Sequence, residues 1–97
     1  MNLQLQTVRF EADESMRNHV QKRVDKLKRF HDRITDVEVY LKEENRPARG
    51  KVAEIKINVP GSSLFAKHES DIMQESIDKA YDSIVGQIKR YKQRATG

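Results

Sequence analysis

Basic side chains recur at helical intervals in the first half of the chain, and their spacing indicates a surface that binds a polyanion. Cations follow at intervals of four, three and four residues at Lys22, Lys26, Arg29 and Arg33. At about 100° per residue these side chains form one stripe, roughly 130° from the apolar face of the same predicted helix. Arg23 lies nearer the edge of that face, where its stem can pack while its guanidinium reaches solvent. A purely solvating face would mix both signs to form pairs one turn apart, so a stripe of one sign favours phosphate contact.

A second group of cations lies on the predicted C-terminal helix. Its members are Lys79, Lys89, Arg90, Lys92 and Arg94, with the small residues Ser83 and Gly86 between the first and the others. Small residues between cations let a phosphate backbone approach closely. Cations near a helix C-terminus also interact favourably with the helix dipole, so residues 89–94 fit either phosphate binding or that local role.

The distribution of charge favours a nucleic-acid partner more strongly than the net charge does. The 97-residue chain has 19 Lys and Arg against 15 Asp and Glu, which gives a formal net charge of +4. Seven of the basic residues lie within positions 17–33, and four more lie from position 89 onward. No apolar stretch approaches the length that spans a membrane, and the N-terminus alternates polar and apolar residues, so we expect no membrane partner.

No constellation of residues predicts catalysis or metal binding. Cysteine is absent, which excludes a thiolate metal cluster and suits a reducing compartment, so a cytoplasmic location is expected. His19, His31 and His68 have neither the close helical spacing nor the cysteine partners of a zinc site. The sequence contains no G-x-S-x-G elbow and no glycine-rich phosphate loop. We therefore expect no enzyme activity, no cofactor and no small-molecule substrate.

Apolar periodicity predicts the elements that carry the cations. Alternating polar and apolar residues indicate strands over about 3–7, 36–42, 53–59 and 64–69. Apolar residues at intervals of three and four indicate helices over about 14–31, with Asp13 as the N-cap, and from about 72 to 94. The predicted fold is a single α+β domain of residues 1–97 in the order β-α-β-β-β-α.

The connections between these elements restrict how the sheet can be arranged. A helix that crosses between the first two strands requires a parallel, right-handed connection, whereas the later strands form antiparallel hairpins, one of them through a type II turn at Pro60-Gly61. Both helices should then pack on one face of a mixed four-stranded sheet. The phase of the fourth strand stays open, because either Leu64 and Ala66 or Phe65 could face the core. Tyr40 and Phe65 are therefore either packing residues or platforms on which a base could stack.

Several motifs, in their order along the chain, resemble one family of ribosome-associated proteins. They are the opening M-x-L-x-L, R-x-x-V-x-x-R-V-x-K-L at 17–27, D-R-I at 32–34, A-E-I-K-I-N-V-P-G from 53, S-I-D at 76–78 and Q-I-K-R-Y-K from 87. Along essentially its whole length the chain resembles the ribosome hibernation promoting factor and protein Y family.

This resemblance implies a fold related to double-stranded RNA-binding domains and a specific partner. Family members bind the small ribosomal subunit, alone or in the 70S ribosome, between its head and body. There they block the messenger and tRNA sites under stress or in stationary phase. The residues that match basic family positions are Arg23, Lys26, Arg33, Arg90, Lys92 and Arg94. The assignment of Lys22, Arg29, Lys79 and Lys89 to the RNA-binding surface depends on their helical spacing.

The chain also departs from the family pattern in ways that affect these expectations. Ser83 and Gly86 stand where relatives usually carry Lys or Arg, so the middle of the last helix should bind RNA more weakly than it does in those relatives. We also expect no C-terminal dimerisation domain of the kind that long family members carry, and a monomer away from the ribosome.

Two alternatives remain open at this point. One is a generic double-stranded RNA-binding module, although Glu69 and Asp71 stand where that mode of binding uses a lysine cluster before the helix. The other is a protein-interaction module that modulates a transcription factor, suggested by the acidic surfaces and the exposed sheet face. Competition by plain duplex RNA would identify the first, and nuclease-insensitive recovery of a protein partner would identify the second.

Overall fold

The computed structural model describes residues 2–96, and its elements follow the predicted order β-α-β-β-β-α. They are the strands β1 (Asn2–Val8), β2 (Asp36–Glu43), β3 (Lys51–Val59) and β4 (Ser62–Ser70) and the helices α1 (Glu14–Lys26) and α2 (Met73–Thr96), with a 3₁₀ turn at Leu27–Arg29. The predicted domain of residues 1–97 includes Met1 and Gly97, which lie outside the described residues.

The four strands form one mixed sheet in the order β1-β2-β3-β4. Strand β1 pairs in parallel with β2, so α1 is the crossover between them, and the other two pairings are antiparallel. The turn between β3 and β4 has Gly61 at φ +74°, close to the positive value that the second central position of a type II turn requires. The mixed sheet that the connections predicted is confirmed, whereas the relation to double-stranded RNA-binding domains stays a prediction.

The hydrophobic core lies between one face of the sheet and the two helices. Alternate residues of β2 and β3 point into it, and Val37, Leu41 and Ile57 have no measurable exposure. On β4, Ala66 is only 4% exposed whereas Phe65 is 50% exposed, so Leu64 and Ala66 face the helices. We call the opposite side of the sheet, where Phe65 points, the open face.

Helix α1 begins as predicted but ends earlier. The carboxylate of Asp13 accepts a hydrogen bond from the backbone N of Met16 at 2.8 Å, as an N-cap should. The α-helix ends at Lys26 because the next turn tightens, and the backbone nitrogens of Phe30 and His31 both donate to the carbonyl of Leu27. The predicted helix to about residue 31 is therefore too long. As a result Arg33 lies in the turn after the helix and not on its stripe.

Candidate nucleic-acid interface

The outward face of α1 carries cations that form no ion pair with the described residues. Lys22 and Lys26 are exposed, and the structure gives neither of them an ion pair within residues 2–96. The acid on the same helix, Asp25, accepts instead from the side-chain amide of Gln21 at 2.8 Å. Neither ammonium group is engaged by Asp25, and phosphate contact by Lys22 and Lys26 stays a prediction.

Arg23 has a different environment, because it bonds across to α2. Its Nε donates to Oδ1 of Asp78 at 3.1 Å, and its guanidinium lies 5.2 Å from the centre of the Tyr81 ring. His19 Nε2 contacts the same Asp78 oxygen at 2.7 Å. Burial raises the pKa of the Tyr81 hydroxyl, and the Arg23 guanidinium opposes that rise. These contacts favour a role for Arg23 in holding α1 against α2.

A basic cleft opens where the carboxyl ends of the two helices meet. We call it the interhelix cleft, and it is lined by Lys28, Arg29, His31, Asp32, Arg33 and Lys92. The backbone N of Arg33 donates to Nδ1 of His31 at 2.9 Å, so the imidazole fixes the turn from which Arg33 projects. The structure gives neither Arg29 nor Arg33 an ion pair within residues 2–96, and Asp32 is the acid in the lining.

Aromatic contacts hold the two helix ends in this arrangement. The His31 and Tyr91 rings lie 5.4 Å apart between centroids. The ammonium of Lys89 lies 5.6 Å from the centre of the Phe30 ring, which is within the range of a cation–π interaction. Lys89 therefore joins α2 to the end of the 3₁₀ turn, and its charge adds to that side of the molecule.

A second groove runs on the other side of α2, along the edge of the sheet. We call it the β4 groove, and it is lined by Ser62, Ser63, Leu64, Gln87, Arg90, Tyr91 and Arg94. The Gln87 amide donates to the carbonyl of Phe65 at 2.6 Å, and the Tyr91 hydroxyl donates to that of Pro60 at 2.6 Å. These two bonds dock α2 on β4 and form the floor of the groove.

The basic residues at the end of α2 are thus divided between two surfaces. Lys89 and Lys92 turn toward α1, and Arg90 and Arg94 turn toward β4, because neighbouring residues point about 100° apart on a helix. Lys79 is exposed further toward the start of α2.

Gly86 leaves a smaller gap in the row of cations on α2 than its lack of a side chain implies. A Cβ built there would lie 3.5 Å from Nη1 of Arg90, so that guanidinium folds back over the position. The weaker contact with RNA expected at Gly86 stays a prediction, and the Arg90 guanidinium occupies the space above this residue.

Sequence reasoning missed two residues of the interhelix cleft, Lys28 and His31. Lys28 falls off a stripe drawn at 100° per residue, but the 3₁₀ turn has three residues per turn and redirects it into the cleft. The His31 contact depends on the turn that follows the helix, and periodicity carries no signal for that turn.

Most cations of the open face are paired with acids, in contrast to Lys22, Lys26, Arg29 and Arg33. Lys42 contacts Glu54 at 2.9 Å, and this carboxylate raises the pKa of the lysine. Glu69 contacts Arg46 at 2.8 Å and Lys67 at 3.6 Å. Desolvation raises the pKa of Glu69, but the two cations lower it by more, so the net shift is downward. Among the described residues Lys56 is the exception on this face, where charge is otherwise largely compensated, and most of the uncompensated positive charge lies on the layer formed by α1, the 3₁₀ turn and α2, which we call the helix layer.

The ends of the molecule differ in charge because α1 and α2 run in the same direction. Their carboxyl ends meet at the interhelix cleft, where cations dominate. Acids gather near the amino ends at Glu11, Asp13 and Glu14 and at Asp71 and Glu75. Within the described part of the chain no group of three or more His, Cys, Asp or Glu is arranged to hold a metal ion. None of the helices in that part is long and apolar enough to cross a membrane.

The fold and its surface define a class of protein, a small α+β domain with a polycationic helix layer. The chain belongs to the Sigma 54 modulation protein / S30EA ribosomal protein family, whose sequence model matches residues 3–96. The family resemblance predicted from the motifs is confirmed.

Relatives of the chain carry names that refer to ribosome hibernation. A ribosome hibernation promotion factor of Deinococcus radiodurans is 36% identical over 87 residues, which are 87% of this chain and 45% of that protein. A ribosome hibernation promoting factor of Klebsiella oxytoca is 29% identical over 94 residues, which are 97% of this chain and 96% of that protein. The chain thus spans less than half the length of the first relative and nearly all of the second.

Solved structures share the same fold. A ribosomal subunit interface protein from Coxiella burnetii superposes with a TM-score of 0.86 at 22% identity, covering 96% of this chain and 99% of that one. The N-terminal domain of Thermus thermophilus Protein Y superposes with a TM-score of 0.81 at 27% identity, covering 94% of this chain and 99% of that one. The order and packing of the elements are therefore those of ribosome-associated relatives.

Proposed function

We propose that this chain is a ribosome hibernation factor that binds ribosomal RNA of the small subunit between head and body. The observation that carries the proposal is the contrast in charge pairing. Lys42, Arg46 and Lys67 of the open face contact acids and Lys56 does not, whereas Lys22, Lys26, Arg29 and Arg33 all lack an acidic partner within residues 2–96. Cations held without partners on one layer provide the positive surface that a phosphate backbone requires.

The proposed mode of action is steric and electrostatic. Phosphates contact the outward face of α1, the interhelix cleft and the exposed cations of α2, which are Lys79, Lys89, Arg90, Lys92 and Arg94. The bound domain occupies the messenger and tRNA sites under stress or in stationary phase, so idle ribosomes stay silent. The protein acts in the cytoplasm, without enzyme activity, and is a monomer away from the ribosome. The names of its relatives and the family membership support this function.

The two alternatives have less support. A generic duplex reader would need cations before α2, where Glu69 and Asp71 lie, and Glu69 is already paired with Arg46. A module that modulates a transcription factor does not account for the cations of the helix layer that have no acidic partner.

Sedimentation with purified small subunits over a range of salt concentrations tests the proposal, with a translation assay in parallel. We expect binding that weakens steeply as salt rises, because each phosphate contact contributes about 0.7–0.9 to the slope of log K against log salt. Replacing Lys26, Arg29 and Arg33 together by Gln should lower that slope by about two to three and relieve inhibition of translation.

A charge-matched control removes three cations that already have acidic partners. Replacing Lys42, Arg46 and Lys51 by Gln changes the net charge equally but removes side chains paired with Glu54, Glu69 and Glu43. This control should keep the wild-type salt slope. If both triple variants lowered the slope of log K against log salt equally, binding would follow net charge alone and the proposal would be wrong.

A further inference from the structure

Phe65 is an aromatic side chain that lies outside the hydrophobic core. It is 50% exposed on the open face, whereas its neighbour Ala66 is 4% exposed in the core. Among residues 2–94 the other exposed large apolar side chains are the aliphatic Val8 and Ile72. Because β4 is an edge strand, Phe65 is accessible both from the open face and from the edge of the sheet.

The β4 groove lies between the basic end of α2 and the strand that carries this ring. Arg90 and Arg94 line the groove together with Ser63, which stands two residues before Phe65 on the same side of β4. The Gln87 amide binds the backbone carbonyl of Phe65 itself at 2.6 Å. The groove therefore extends from α2 to the edge strand that carries the ring, with Ser63 on the same side of that strand as Phe65, so a flexible polymer held in the groove can continue over the edge onto the ring.

The surroundings of Phe65 fit a nucleobase better than a protein partner. Lys56 lies directly opposite Phe65 in the β3–β4 register, is exposed, and has no ion pair within residues 2–96. The hydroxyl of Ser63 and the amide of Asn58 bond to each other nearby at 2.8 Å. The buried centre of a protein interface is enriched in apolar and aromatic side chains, and one ring among polar side chains does not supply such a centre. An aromatic platform beside cations is the arrangement that binds single-stranded nucleic acid.

We infer that the β4 groove and Phe65 form a contact for an unpaired RNA strand, with its phosphates at Arg90 and Arg94 and a base stacked on Phe65. The inference rests on the proposed function, in that RNA is the partner, and adds that this RNA is unpaired at the sheet edge. Bases inside a duplex are stacked on each other and cannot reach the ring.

A tryptophan reporter tests the stacking directly. The chain has no tryptophan, so Phe65→Trp introduces a single indole at the site. Titration with a short single-stranded oligoadenylate should quench its emission, because the base stacks on the indole. A duplex of the same length should leave the emission unchanged. Absence of quenching, or equal quenching by the duplex, would overturn the inference.

Affinity for the small subunit provides the second test. Phe65→Ala should weaken binding roughly 5- to 150-fold, the factor that corresponds to loss of one base–aromatic stack, with no change in the salt slope. Phe65→Trp should keep wild-type affinity. Arg90→Gln should instead lower the slope by about 0.7, the value for one contact with a single strand. Val8→Ala is the matched control, since Val8 is 47% exposed on the far edge strand and should bind as wild type.

The outcomes separate this inference from the proposed function. If wild type binds small subunits, Phe65→Ala binds equally well and the reporter does not respond, the stacking contact is absent while the proposed function stands. If wild type fails to bind small subunits but single-stranded RNA still quenches the reporter, the proposed function is wrong and the stacking contact stands.

Discussion

Comparing Arg23→Gln with Lys26→Gln tests whether Arg23 positions the helices or contacts phosphate. Arg23 and Asp78 are each 31% exposed in their side chains, and the Nε–Oδ1 distance is 3.1 Å. Arg23→Gln removes this ion pair and the contact with the Tyr81 ring, whereas Lys26→Gln removes a cation without an acidic partner. The two variants lose the same formal charge from the same helix, so a difference between them reports on role.

The expected magnitudes follow from the exposure of each group. A partly exposed ion pair contributes at most about 1 kcal/mol, and a cation–π contact at a similar site adds roughly 0.5 kcal/mol. Arg23→Gln should therefore lower the free energy of unfolding by about 1 kcal/mol, or the melting temperature by about 4–8 °C for a domain of this size. Lys26→Gln should leave stability within about 0.5 kcal/mol of wild type.

Binding should respond in the opposite sense. In sedimentation with small subunits across a salt series, Lys26→Gln should lower the slope of log K against log salt by about 0.7–0.9, and Arg23→Gln should leave it unchanged. Arg23→Gln and Asp78→Asn should also be non-additive in thermal unfolding, with a coupling of about 0.5–1 kcal/mol. If Arg23→Gln lowers the slope as much as Lys26→Gln and melts like wild type, then Arg23 contacts RNA and the positioning role is refuted.

Three further substitutions test local features of the fold. Gly86→Ala should raise stability by about 0.5–1 kcal/mol in thermal unfolding and leave RNA binding intact, because the new Cβ makes an ordinary 3.5 Å contact and glycine is unfavourable inside a helix. Gly50→Ala should destabilise by roughly 1–3 kcal/mol, since its Cβ would lie 2.7 Å from the backbone carbonyl oxygen of Glu44; a wild-type melting temperature would contradict this. The pKa of Glu69 is lowered in the folded state, so the stability gained with Arg46 is present above the ordinary pKa of the carboxyl and lost as pH falls through the folded-state value. Glu69→Gln should thus reduce the loss of melting temperature between neutral pH and about pH 3, and identical acid profiles would argue against the pair.

The elements and their order were predictable because the apolar periods are regular. Val37, Val39 and Leu41 alternate with polar residues, and the connection through α1 requires the parallel β1–β2 pairing that is observed. The phase of β4 was not predictable, because Leu64, Phe65 and Ala66 are consecutive apolar residues and only pairing with β3 selects which of them faces the helices.

The outward stripe of α1 was also predictable, but the partners of individual cations were not. Arg23 meets Asp78 across 55 residues of sequence, a pairing that no local pattern encodes. Lys89 and Arg90 face different surfaces because α2 is flanked by α1 on one side and by β4 on the other. Arg33 left the predicted stripe because of a backbone tightening at Leu27, which periodicity does not report.

The shared direction of α1 and α2 has a consequence for how fast the protein meets its partner. With cations at the carboxyl ends and acids at the amino ends, the molecule experiences a torque in the field of a polyanion that turns the interhelix cleft toward it before contact. Replacing Glu11 or Glu14, which lie at the end of the molecule opposite the interhelix cleft, should therefore change the association rate with a polyanion at low salt and leave the dissociation rate unaltered. If the domain binds between the head and body of the small subunit as proposed, arriving already oriented would speed its entry.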